Sequence, residues 1–158
     1  VALVKGTNSY AEVAEANAYF SDRIGSDLWL AADDTTKAKA LITATALLDE
    51  LEWSGTLALD TQALAFPRLG SYFEPRQGAI VEFSALVPNR IIRATFELAL
   101  HLISNSDILS STGSVIDLEV GSVKLNTILN PSVMPVTVRR IYRPMLQNQS
   151  GTTWWRAN

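Results

Sequence analysis

The chain reads as mainly α: a helical bundle of about four helices with a β-hairpin insertion and an extended C-terminal tail. Three observations predict this. First, in Pro88 to Ser104 the polar residues Arg90, Arg93, Glu97, His101 and Ser104 recur at helical steps. Nearly every other position is apolar, so that helix has to be wrapped by others. Second, Thr35 to Trp53 runs without Gly or Pro and carries its own apolar stripe. Third, beyond Ser114 the hydrophobic period changes from helical to two-fold, the mark of strands.

Taken in order, Ser9 with Glu12 forms a capping-box pattern. Val13, Ala16, Phe20 and Ile24 follow on one face before Gly25, which predicts a helix from Tyr10 to Ile24. Leu28, Trp29 and Leu30 form a short connection expected to plug the bundle. Asp33 or Asp34 can cap the next helix, where Ala38, Leu41, Ala44, Leu48 and Leu51 make the stripe and Ile42 and Leu47 widen it. Residues 54–87 hold glycines, prolines and scattered aromatics without sustained periodicity. They read as a long ordered loop with a short turn near Thr61–Leu64, a kind of segment that often carries function.

The central helix comes next, with Pro88 as its first residue, where a missing N–H is tolerated. Asn105 to Ser114 reads as a surface connection. Ile116, Leu118 and Val120 then alternate with polar neighbours, as do Val123, Leu125 and Thr127. Gly121-Ser122 between them suits a two-residue turn, which predicts a hairpin from Ser114 to Leu129. Two strands alone are only marginally stable, so this hairpin must pack on the bundle or pair with another copy; the second is favoured. Pro135 can start a last helix through Tyr142, and Pro144 limits its extension. Residues 1–148 are thus read as one helical-bundle domain and 149–158 as a docking tail.

Composition narrows the class. At 158 residues with 47% hydrophobic content the chain suits one globular domain. No apolar run is long enough to span a membrane, and VALVKGTNSY lacks the sectors of a signal peptide. The absence of cysteine removes disulfides and thiol chemistry and fits a cytosolic origin. A net charge of −3 argues against a dedicated nucleic-acid binder.

Catalytic chemistry is hard to find. The lone His101 lies on the polar stripe with no nucleophile beside it, and there is no phosphate-binding loop or metalloprotease motif. Asp33-Asp34 and Asp49-Glu50 are adjacent pairs that diverge on a helix and chelate poorly. The expectation is therefore no enzyme activity, no cofactor and no metal.

The remaining candidates are surfaces. Asp49, Glu50 and Glu52 make an acidic patch that is either solvated or turned to a basic partner. Arg139, Arg140 and Arg143 form the most basic segment, and the two patches could meet head-to-tail between neighbouring subunits of a ring. Trp154, Trp155 and Arg156 are residue types enriched in interface hot spots. In FPRLGSYFEPRQG, the aromatics Tyr72 and Phe73 are interleaved with Arg68 and Arg76. Stacking aromatics with phosphate-holding arginines could serve single-stranded nucleic acid; alternatively, the aromatics pin the loop and the arginines pair with carboxylates.

A family resemblance joins these pieces. The chain contains, in order, SYAEVAEANAYF; Trp29 with the Lys37–Asp49 helix; Trp53-Ser54-Gly55; Gln62 to Arg68; and Val87-Pro88 leading into Glu97-Leu98-Ala99. This series, over residues 9–100, resembles the tailed-phage head–tail connector (adaptor) proteins. The resemblance implies a structural ring, commonly twelve-fold, between the portal protein and a tail or nozzle protein, with genomic double-stranded DNA passing through its lumen. It implies a place in the virion neck after synthesis in the host cytoplasm, and a portal-binding role for Trp154, Trp155 and Arg156. Some relatives carry the label DnaT-like single-stranded-DNA-binding protein, and a single-stranded-DNA-binding module is the alternative reading.

Overall fold

In the computed structural model, which describes residues 2–109, 114–120, 123–129 and 133–147, the first helix starts later and stops earlier than its sequence suggests. Helix α1 is Val13–Ser21. Its capping box is shifted one turn, because the backbone N–H of Glu12 donates to Glu15 Oε2 at 2.9 Å. Ser9 is buried instead, its hydroxyl donating to the Ala11 carbonyl at 2.7 Å. Ile24 falls beyond the helix and is 97% exposed, so it does not join the Ala16–Phe20 face. The short helix α2, Asp27–Ala31, drives Trp29 into full burial while Leu28 and Leu30 stay exposed.

Helix α3, Asp34–Asp49, is capped by Asp33, whose carboxylate accepts from the Thr36 N–H. Its inward face is Ala40, Leu41, Ala44, Thr45 and Leu48, together with Lys37. Lys37 is buried, with its Nζ 5.9 Å from the Trp29 ring centroid and 3.9 Å from Asp34 Oδ1.

The segment read as a long loop holds secondary structure. Strands β1 (Thr56–Leu57) and β2 (Arg68–Leu69) pair antiparallel, as do β3 (Ser71–Glu74) and β4 (Ala79–Glu82). Two backbone devices make this geometry. Gly55, at positive φ, lies so close to β2 that a Cβ there would collide with the Leu69 carbonyl oxygen. Gly78, also at positive φ, closes the β3–β4 turn, its N–H bonding to the Glu74 carbonyl at 2.9 Å. Aromatic edges then fasten the segment to the body. Phe66 meets Tyr10, Trp53 and Phe83 edge-on, and Tyr72 stacks on Phe83 at 5.1 Å.

Helix α4, Asn89–Ser104, is the central element, with Pro88 as its N-cap rather than its first turn. It buries Ile91, Ala94, Phe96, Leu98, Ala99 and Leu102 and packs against α2, α3 and the last helix. Strands β5 (Ser114–Val120) and β6 (Val123–Leu129) pair with Val120 opposite Val123, the register expected of a two-residue connection. Helix α5, Val136–Tyr142, is capped by Pro135 and followed by a 3-10 turn at Arg143–Met145. Its Tyr142 meets Trp53 edge-on at 5.6 Å. An antiparallel bridge of Trp53 with Leu146 then ties the end of the described chain to the segment after α3.

The architecture is therefore mixed α/β, and the expectation of a mainly α bundle of about four helices is corrected. Among the described residues there are five α-helices and three two-stranded antiparallel ladders. Helices α1 and α2 are too short to act as bundle staves. Between α3 and α4 the chain forms strands, stabilised by aromatic contacts and by glycine turns, in place of a further helix.

Candidate functional site

The β3–β4 hairpin presents two different faces. Strand alternation sends Tyr72 and Glu74 inward and Phe73 outward. Phe73 pairs across the ladder with Ile80, and the two side chains are 54% and 75% exposed. Beside Phe73 lies a trough of about 430 Å³ lined by Pro75, Arg140, Arg143 and Pro144. Helix periodicity explains the arginines. Val138 and Tyr142 face the core, which leaves Arg140 and Arg143, three residues apart, on the outer side. Neither guanidinium pairs with a carboxylate among the described residues.

Arg90, on α4, holds the two walls of this trough together from behind. Its guanidinium forms a two-pronged pair with Glu74 of β3, and its Nη1 donates to the Ile141 carbonyl of α5 at 3.0 Å. Glu74 is nearly buried and also accepts from the Arg76 N–H at 3.1 Å and the Tyr72 hydroxyl at 3.3 Å. The bond from Arg90, followed in size by the opposing effect of burial, holds the Glu74 carboxyl at about 2, below its ordinary 4.5. A depressed folded-state pKa means that this pair contributes fully above about pH 4.5 and is lost as pH falls toward 2. Stability measured from pH 6 to pH 2 is expected to fall through that window in the parent chain and to fall less in Glu74→Gln. Parallel curves for the two proteins would show that the pair is not coupled to folding.

The four residues singled out in the loop thus have separate fates. Phe73 is displayed at the trough. Arg68 is turned inward, its guanidinium donating to the carbonyls of Ser54 at 2.8 Å and Gly55 at 2.6 Å, with longer bonds to Ala65 and Trp53. Burial lowers its pKa, and it serves as the pin of the β1–β2 turn. Tyr72 is half-buried in its stack on Phe83. Arg76 stands exposed at the hairpin tip.

The acidic patch also divides. Asp49 accepts from the Tyr10 hydroxyl and from the Ala65 N–H at 3.2 Å, tying three segments of the same chain. Burial raises its pKa, and burial followed by Asp49 raises that of Tyr10. Glu50 and Glu52 are exposed, as are Arg139, Arg140 and Arg143. The Gln147 N–H donates to the Glu52 carbonyl at 2.9 Å, so the acidic and basic segments are joined through backbone inside one chain. Trp154, Trp155 and Arg156 lie outside the described residues. His101 lines a separate cavity of about 330 Å³ with Arg23, Glu97 and Thr137. No group of side chains able to hold a metal ion is found among the described residues.

Sequence reasoning missed Arg140 and Arg143 as companions of Phe73. The signal available was their outward spacing on α5 and the 3-10 turn after it; which strand they would meet is a long-range matter that the spacing does not carry.

Neither a curated protein nor a solved structure matches the chain. One family does, over residues 2–154, and its description is "Putative DnaT-like ssDNA binding protein". The resemblance to head–tail connectors is overturned by that match, and the connector, portal-binding and neck assignments fall with it. The motifs behind the resemblance have structural work in this fold. Trp29 fills the core and donates to Asn17, Gln62 bonds the Leu64 and Pro67 carbonyls, Arg68 pins a turn, and Pro88 caps α4. Such residues keep a fold in repair and say little about what it assembles with. By its match over almost the full sequence, the chain belongs to the DnaT-like ssDNA-binding protein family.

Proposed function

We propose that the chain binds single-stranded DNA without sequence preference, using the trough between β3 and α5. The observation that carries this reading is the exposed ring of Phe73 beside Arg140 and Arg143, two arginines without a carboxylate partner among the described residues. An aromatic face can stack any base, and cations at its border can take the flanking phosphates. Family membership supports the same ligand class. Because the chain carries a net charge of −3, the local arginines work against an unfavourable overall field, and binding is expected to be strongly salt-dependent.

Fluorescence anisotropy with a labelled thymidine oligonucleotide tests the proposal. Phe73→Ala is expected to weaken binding by about 5- to 150-fold, the equivalent of about 1–3 kcal/mol for one stacked base. Arg140→Gln and Arg143→Gln should each reduce the slope of log affinity against log salt by about 0.7. No measurable binding at low salt, or binding indifferent to Phe73→Ala, would defeat the proposal.

A further inference from the structure

The trough ends at Pro75, and the next residue, Arg76, lines a second cleft on the opposite face of the hairpin. This cleft has a volume of about 330 Å³, and its walls include Tyr72, Phe83, Arg90 and Arg93. Adjacent residues at the hairpin tip, Pro75 and Arg76, both exposed, thus line one concavity each.

The charges in the second cleft sort into used and available. Arg90 and Glu74 neutralise each other, and Glu74 is further engaged by the Arg76 N–H and the Tyr72 hydroxyl. That leaves the exposed guanidiniums of Arg76 and Arg93; Arg93 bonds the Tyr19 hydroxyl, a neutral group, and keeps its remaining donors. Glu82 is the opposing charge on the rim. Two exposed cations against one exposed carboxylate favour an anionic polymer, and the Tyr72–Phe83 stack supplies an apolar wall.

We propose that one DNA strand crosses the hairpin tip, with a base on Phe73 and with phosphates further along the strand at Arg76 and Arg93. The inference rests on the single-strand reading and extends it to a second subsite, giving a track longer than the trough alone. A ligand confined to the trough gains nothing from added length beyond the number of registers it offers. A ligand on the track gains contacts at Arg76 and Arg93.

The test compares a trinucleotide with an octanucleotide of thymidine, titrated at low salt into the full chain and into Arg76→Glu, Arg93→Glu and Glu82→Gln. The parent protein is expected to bind the longer oligonucleotide at least about tenfold more tightly, and each arginine variant should reduce that ratio to about threefold while leaving trinucleotide binding intact. Glu82→Gln should tighten octanucleotide binding alone. All three positions are exposed, and circular dichroism checks that the variants fold. If Arg76→Glu and Arg93→Glu bind the octanucleotide like the parent while Phe73→Ala does not, the track is wrong and the trough stands. If neither oligonucleotide binds the parent chain, both proposals fall.

Discussion

Trp29→Ala is expected to destabilise the fold by about 4 kcal/mol, within the range for large aromatic truncations in a packed core. Trp29 has no exposed surface, and its ring lies 4.8 Å from that of Phe20. Three losses coincide at this one side chain. The cavity opens where α1, α2 and α4 meet; Asn17 loses the indole N–H that donates to it at 2.9 Å; and the Lys37 ammonium loses the ring face it lies over. A loss of that size lowers the melting temperature by about 8–16 °C for a chain of this length. Trp29→Phe keeps most of the volume but not the donor, and should cost about 1–2 kcal/mol. Urea or thermal unfolding of the three proteins checks the order. A Trp29→Ala variant as stable as Trp29→Phe would mean that the site collapses freely around the gap.

Arg90→Ala carries the second large effect, and it reaches from stability into binding. Removing the guanidinium leaves the nearly buried Glu74 carboxylate without its counter-charge, a change that costs about 3 kcal/mol or more. It also frees the Ile141 carbonyl and so loosens α5 from α4. Arg90 does not line the trough, yet Phe73 and Arg140 stand on the two elements it joins. Where the variant is still folded, its affinity for a thymidine oligonucleotide should drop by a factor comparable to that of Phe73→Ala. Arg90→Lys retains the charge but not the two-pronged geometry, and should recover part of the stability and less of the binding. Unaltered affinity in a folded Arg90→Ala protein would show that the trough keeps its shape without the clamp.

Legibility from sequence followed the range of the interactions. Helices α3, α4 and α5 were readable because their apolar spacing, the Asp33 cap and the prolines at 88 and 135 are local signals. The β5–β6 register was readable because Gly121-Ser122 fits a two-residue connection. The β1–β4 region was not, because two-residue strands have no period to detect. They exist through contacts made elsewhere: the carbonyl cage around Arg68, and the rings of Tyr10, Trp53 and Phe66. The same tertiary contacts decide which charged side chains stay at the surface. Arg68 had the composition of a phosphate ligand and became a turn pin, whereas Arg140 and Arg143 were assigned to subunit contacts and lie beside Phe73. Phe73 stands exposed because strand alternation leaves it facing solvent, an orientation that its place in a four-residue strand did not announce. The Ser9–Glu12 box failed through competition: Glu12 with Glu15 offers an equivalent pattern one turn on, and Ser9 is drawn into the interior.

Gly55 contributes no functional atom, but it governs how freely the β3–β4 finger can swivel. With the Leu69 carbonyl pressed against its Cα and the Gly70 carbonyl accepting from the Phe83 N–H at 2.9 Å, the base of the finger is backbone locked on backbone. On the proposed reading, a strand docking at Phe73 would then spend little of its binding energy on ordering the finger.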